Sequence, residues 1–269
     1  MVRPFQNPKS KIQNRIRDLL LGIYLFVYPW SVPMLMFDLV PEWGTWMGGF
    51  LVIVQGSVVA LWMSERFGAR GVVAAAAVAL LSFGVEYVGV TTGVPFGRYT
   101  YTDQLGIKLG AVPLPIPFAW LLAVPGAIAV AHLLGVRGWW RVPATALLVV
   151  VFDLAIEPFA AFVSGYWEWL DGGVYYSIPL ANFGAWGVTG FVLAGITLAL
   201  CTRWRPVPAT IELPAVLFVL NLIQFLLVDL VYGYWGAALF GVPVAIICSR
   251  RMLAVLAGRG WQWRAVLEQ

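Results

Sequence analysis

Charge is scarce in this chain. Its 269 residues carry 17 Lys and Arg and 13 Asp and Glu, 11 % of the total. A soluble domain of this length would hold about 25 %, so a solvated globular fold is excluded. Histidine is scarcer still: His132 is the only one. One histidine cannot build a multi-histidine di-iron site or a four-histidine oxygenase centre. The two cysteines, Cys201 and Cys248, sit at the ends of apolar segments. They read as inert packing residues rather than a disulfide framework. No G-x-G-x-x-G follows a strand, and there is no Walker loop and no G-x-S-x-G elbow. Nicotinamide, flavin, nucleotide and serine-hydrolase sites therefore have no signal. The paired aspartate-rich motifs that hold magnesium for prenyl transfer are missing too. The expectation is chemistry without a metal and without a cofactor.

What is abundant is apolar sequence, 61 % of the residues, with a mean hydropathy of +0.84. Apolar runs of about 20 residues recur along the whole length, long enough to cross a bilayer. The predicted fold class is all-α: a polytopic membrane bundle, residues 1–269 forming one transmembrane domain. Eight spans can be drawn, at 18–37, 45–63, 71–91, 114–134, 143–163, 183–201, 213–231 and 234–250. The last two are separated only by Tyr232-Gly233-Tyr234-Trp235-Gly236, so seven is the alternative count. No secretory signal is expected, because residues 1–17 are basic and polar and the following run is long enough to span. If that basic segment is cytoplasmic, every Lys and Arg except Arg98 and Lys108 falls on the cytoplasmic side. Such asymmetry over short loops predicts a cytoplasmic N-terminus and a multi-pass protein of the cell membrane. The net charge of +4 then reports topology and contact with anionic lipid, and gives no reason to expect nucleic acid. His132, in the last turn of the fourth span, reads as an interfacial or packing residue.

The acids need a separate explanation. Counted from Pro143 at about 1.5 Å per residue, Asp153 is ~15 Å and Glu157 ~21 Å into the fifth span. Their spacing of four places both on one helix face. Glu86 lies at a similar depth in the third span, and Asp229 near the outer end of the seventh. A charge at the bilayer centre costs at least ~2.5–3.5 kcal/mol, and two neighbouring carboxylates repel, so one of them is expected to carry a proton. Pro158, lacking an N–H, leaves the carbonyl of Leu154 without its helical partner. These acids either pair with Arg98, Lys108 or a tyrosine to fix helix packing, or form a proton-handling site in a shared cavity. Aromatics, 15 % of the chain, gather on the same outer side, among them Tyr99, Tyr101, Trp167, Trp169, Tyr176 and Trp186. Acids and aromatic faces together suit protonation of an alkene and shelter of the carbocation. Residues 92–113, rich in Gly and Pro, are expected to be an outer loop acting as lid or entrance. Within it, the alternation of Arg98 to Thr102 predicts a short hairpin strand, and Pro113, Pro115 and Pro117 an extended approach to the fourth span.

Several motifs together resemble one family. They are Glu86-x-x-Gly89-x-x-Thr92-Gly93-x-Pro95-Phe96-Gly97-x-Tyr99-x-Tyr101, Pro113-Leu114-x-Ile116-Pro117-x-Ala119-Trp120, Asp153-x-x-x-Glu157-Pro158, Trp167-x-Trp169 and Tyr176-x-Ile178-Pro179-x-x-Asn182-x-Gly184-x-Trp186. The chain in this respect is similar to the carotenoid biosynthesis membrane proteins typified by CruF and the bisanhydrobacterioruberin hydratases. That resemblance implies addition of water across the terminal double bond of an acyclic ψ-end, giving a tertiary alcohol without oxygen or redox cofactor. The implied partners are water, membrane lipid and a carotenoid of lycopene, γ-carotene or bacterioruberin-precursor type. Placed on the matching motif positions, the chemistry predicts Asp153 and Glu157 as acid and base, with Glu86 and Asp229 as alternative donors or relays. Tyr99, Tyr101, Trp120, Trp167, Trp169, Tyr176, Asn182 and Trp186 are expected to bind substrate, Asn182 and Tyr176 by placing the water. Three other readings stand beside it: a membrane carotenoid cyclase that protonates the same alkene, a proton-coupled transporter, and a carotenoid-binding membrane protein.

Overall fold

The computed structural model describes residues 8–206 and 210–267, with the backbone alone for 8–11 and 259–267. Residues 1–7 of the predicted basic segment lie outside the described residues. Eight helices follow in chain order: α1 Pro8–Met36, α2 Met47–Phe67, α3 Ala69–Thr92, α4 Pro115–Leu133, α5 Arg141–Pro158, α6 Leu180–Leu200, α7 Leu213–Tyr232 and α8 Trp235–Leu267. Each contains a stretch long and apolar enough to cross a membrane, and the chain is a multi-pass membrane protein. Eight is the count among the described residues: α7 closes on Gly233, whose φ of 84° is left-handed, and α8 begins two residues later. Backbone in lipid must satisfy its own hydrogen bonds, which is why the apolar runs fold as helices.

The connections separate two ends of the bundle. At the basic end α2 and α3 meet at Gly68, whose φ of 61° no β-branched residue would adopt without strain. There Arg17 pairs with Glu65. His132 reads correctly as a packing residue. It is buried, its Nδ1 lies 3.2 Å from Glu212, and the Trp204 indole N–H donates to the same carboxylate at 2.9 Å. The opposite end carries the long connections 93–114 and 164–179. In chain order their strands are β1 Tyr99–Tyr101, β2 Lys108–Leu109 and β3 Val112–Pro113 in the first, and β4 Trp167–Trp169 in the second. β2 and β3 form a local hairpin, whereas β1 pairs antiparallel with β4, in the register Tyr99↔Trp169 and Tyr101↔Trp167. The strand expected at 98–102 therefore exists, but its partner is in the other connection. Pro115 and Pro117 are not extended: they occupy the first turn of α4, where a missing N–H costs nothing.

α4 stands at the centre, every residue from Trp120 to His132 buried, with α2, α3, α5 and α7 against it. α1 lies at the edge and touches mainly α2 and α7. α5 gives way after Pro158 to one π-type turn, Phe159–Val163. The carbonyl that Pro158 releases is satisfied from outside the helix, because the Tyr175 hydroxyl donates to Leu154 O at 2.7 Å. Cys201 and Cys248 are buried and free.

Candidate active site

Strand alternation builds the site. In β1 and β4 every second side chain turns toward the bundle, so Tyr99, Tyr101, Trp167 and Trp169 point inward while Thr100 and Glu168 are exposed. Each pair of inward side chains meets one buried carboxylate. Glu86 of α3 accepts hydrogen bonds from the Tyr99 and Tyr101 hydroxyls, both at 2.7 Å, and from the Trp120 indole N–H at 3.0 Å. Glu157 of α5 accepts from Trp167 at 3.1 Å, Trp169 at 2.9 Å and the Asn182 amide at 2.9 Å. The two nests touch through the ladder: the Tyr99 and Trp169 rings are 5.3 Å apart, and Tyr101 and Trp167 6.2 Å. Gly89 makes this possible, since a Cβ there would stand 2.5 Å from the Phe96 ring and push the connection off α3.

Three donors per carboxylate matter energetically. A hydrogen bond to a charged group contributes roughly 1.5–3 kcal/mol, so three offset much of the several kcal/mol that burying an ion costs. Burial, with Glu86 nearby, pushes the Tyr99 and Tyr101 phenols up, so both remain O–H donors at neutral pH. Among the described residues no cation meets either carboxylate: Arg98 pairs with Asp171 and Lys108 with Asp103, both acids of the connections. Of the packing partners the sequence offered, only tyrosine is used, by Glu86. No group of three or more His, Cys, Asp or Glu among the described residues is arranged to hold a metal ion.

Both nests line one cavity of about 380 Å³. Nine of the twelve residues singled out in the sequence stand in its wall: Glu86, Glu157, Tyr99, Tyr101, Trp120, Trp167, Trp169, Asn182 and Trp186. Trp120 and Trp186 stack at 4.2 Å, 20° from parallel. Three do not reach the wall. Asp153 lies behind Asn182, whose amide donates to Asp153 Oδ2 at 2.9 Å, and its Oδ1 is buried without a partner among the described residues. Asp229 is buried, and neither of its oxygens has a partner among the described residues. The Tyr176 hydroxyl accepts from the backbone N–H of Gly236 at 2.7 Å, on the α8 side of the bundle.

The connection 93–114 roofs the cavity with Phe96, Tyr99, Tyr101 and Leu105. It is tied down by the β1–β4 ladder and by Arg98, whose Nε donates to Asp171 at 2.8 Å. The wall reaches the surface elsewhere, between α1 and the turn before α2, where Trp30 and Trp43 are 64 % and 74 % exposed. Sequence reading missed this side. It also missed Tyr24, Gln55, Asn221 and Gln224 in the same wall, although an amide alone in an apolar helix is itself a signal.

A family model described as carotenoid biosynthesis protein matches residues 47–248. A bisanhydrobacterioruberin hydratase of Haloarcula japonica is 35 % identical over 128 residues, covering 46 % of this chain and 43 % of that relative, so the match spans under half of either protein. No solved structure matches.

Proposed function

The chain belongs to the carotenoid biosynthesis protein family, and we propose that it hydrates a carotenoid, adding water across the terminal double bond of an acyclic ψ-end. One observation carries this reading: two buried carboxylates, each held by three donors and free of cations, face one aromatic cavity open at its flank. The similar hydratase supports the same reaction class. An alkene is unreactive toward water until a proton is added, and the tertiary cation that results needs an anion and aromatic faces beside it.

The roles follow from position. Glu157, in the wall, transfers its proton to the less substituted alkene carbon. The Trp167, Trp169 and Asn182 donors stabilise the carboxylate left behind. The stacked Trp120 and Trp186 flank the cation. Water, held by Glu86 with Tyr99 and Tyr101, adds its oxygen to the cation and gives its surplus proton to Glu86. That proton returns to Glu157 to close the cycle. Asp153, one turn along α5 from Glu157 and with one oxygen unpartnered among the described residues, is assigned to hold it on the way. Asp229 and Tyr176, away from the wall, are left with relay and support. The substrates proposed are lycopene, γ-carotene or a bacterioruberin precursor, entering sideways from lipid past Trp30 and Trp43 beneath a fixed roof. The Lys and Arg asymmetry supports an N-terminus in the cytoplasm and a roof on the outer face of the cell membrane.

The test is expression in cells that accumulate lycopene. The product should gain the mass of one water per processed end and take its oxygen from labelled water, and Glu157→Gln should abolish it. A cyclic product of unchanged mass would assign the cavity to cyclisation, and a flux of polar solute in vesicles with no pigment change would assign it to transport.

A further inference from the structure

The cavity has a second polar region, away from the two carboxylate nests. Tyr24 of α1, Gln55 of α2 and Asn221 of α7 meet in its wall, each at most 4 % exposed, with Gln224 one turn along α7. At ~1.5 Å per residue, Gln55 lies about 12 Å below the roofed end of α2, and Asn221 about 16 Å below that of α7, against about 9 Å for Glu86 in α3. The cluster is therefore the floor of the cavity.

Its hydrogen-bonding capacity is only partly used. The Asn221 amide nitrogen donates to Gln55 Oε1, to Leu217 O at 2.8 Å and toward the Tyr24 hydroxyl at 3.4 Å. Among the described residues no protein partner meets the Asn221 carbonyl oxygen, the Gln55 amide nitrogen or the Tyr24 hydroxyl proton. An acceptor and two donors thus border apolar space. Leaving such groups unpaired against an apolar wall is costly, and cross-linking helices needs only the bonds already made. A hydroxyl, at once donor and acceptor, matches what is left over.

We propose that Tyr24, Gln55 and Asn221 form a hydroxyl-binding subsite, reading an oxygen in the end group of the carotenoid a few bonds from the reacting alkene. This rests on the carotenoid reading above. The same hydroxyl chemistry is offered by a water molecule stored for the reaction, and the experiment separates the two. A site built to pair a hydroxyl discriminates against the analogue lacking it far better than an apolar pocket does.

The probes are lycopene, which has no oxygen, and an acyclic carotenoid whose end group carries both a terminal alkene and one tertiary hydroxyl a few bonds from it. Binding to the purified full chain is read by polyene quenching of its tryptophans, 14 in all, and turnover by product mass. Asn221→Leu and Tyr24→Phe should weaken binding of the hydroxylated probe about ten-fold and leave lycopene binding unchanged. Equal binding of both probes with slower turnover of both would assign the cluster to stored water. Tyr24→Phe removes one oxygen atom and keeps the ring, so a fold defect in Asn221→Leu does not decide the matter. Unaltered binding and turnover of both probes in the folded Tyr24→Phe and Asn221→Leu proteins would overturn the subsite. If the wild-type chain binds the probes without converting either, the hydratase reading fails while the binding difference still reports on the cluster.

Discussion

Replacing Trp169 by Phe removes one donor from Glu157 and keeps an aromatic ring against Tyr99. The bond lost is a 2.9 Å indole N–H to a carboxylate oxygen. Bonds of this kind contribute about 1.5–3 kcal/mol, and about 1.36 kcal/mol corresponds to a factor of ten in rate. If Trp169 stabilises the carboxylate that forms as the proton leaves, Trp169→Phe should slow turnover roughly ten- to hundred-fold. The loss should fall on kcat, because the bond strengthens only as charge develops. Trp167→Phe, which removes the 3.1 Å bond to the same oxygen, should behave alike. Tyr166→Phe is the control: Tyr166 packs on Trp167 in the same wall and gives no hydrogen bond to Glu157. Initial rates of hydrated carotenoid in detergent, with the melting temperature of each variant, decide the matter. Equal losses in Tyr166→Phe and Trp169→Phe, or a change confined to KM, would refute the donor argument and leave only ring packing.

The clasp between Arg98 and Asp171 should respond to acid. The Arg98 side chain and backbone N–H hold the Asp171 carboxyl below the usual carboxylate range. A group whose folded value is depressed stabilises the fold above its unfolded value and loses that contribution as pH falls through the folded one. Amide-exchange protection of 98–102 and 167–171 should hold from neutrality down to about pH 4, the ordinary aspartate range, and drop below it; a drop on raising the pH would contradict the assignment. Gly56→Ala should weaken the bundle, because the added methyl would stand 2.6 Å from the Cβ and carbonyl oxygen of Phe118 and force α2 off α4. A cost of about 1–3 kcal/mol is expected, seen as a lower melting temperature.

The helices were legible because lipid leaves the chain no alternative: about twenty apolar residues in a row must hydrogen-bond internally, and eight such runs gave eight helices. The burial of Glu86 and Glu157 inside the bundle was legible for the complementary reason, since a carboxylate is too costly to leave facing lipid. What counting residues could not show is the side each acid faces. Asp153 and Glu157 share a helix face, yet Asn182 of α6 closes off the first and leaves the second in the wall. β4 was illegible because three residues carry no periodicity of their own. It exists only because β1, more than sixty residues earlier, supplies the other edge. Tyr176 looked like its neighbouring aromatics, but at a φ of 49° it turns to Gly236 instead.

Because the hollow opens at the flank between Trp30 and Trp43, a guest of the kind proposed would leave in the surrounding lipid whatever part does not reach the carboxylates. On that reading only the tip of a long molecule would be gauged. Chains of unequal length that share a tip would be handled alike, and one that bears the same tip at both extremities could be worked twice, by letting go and turning round.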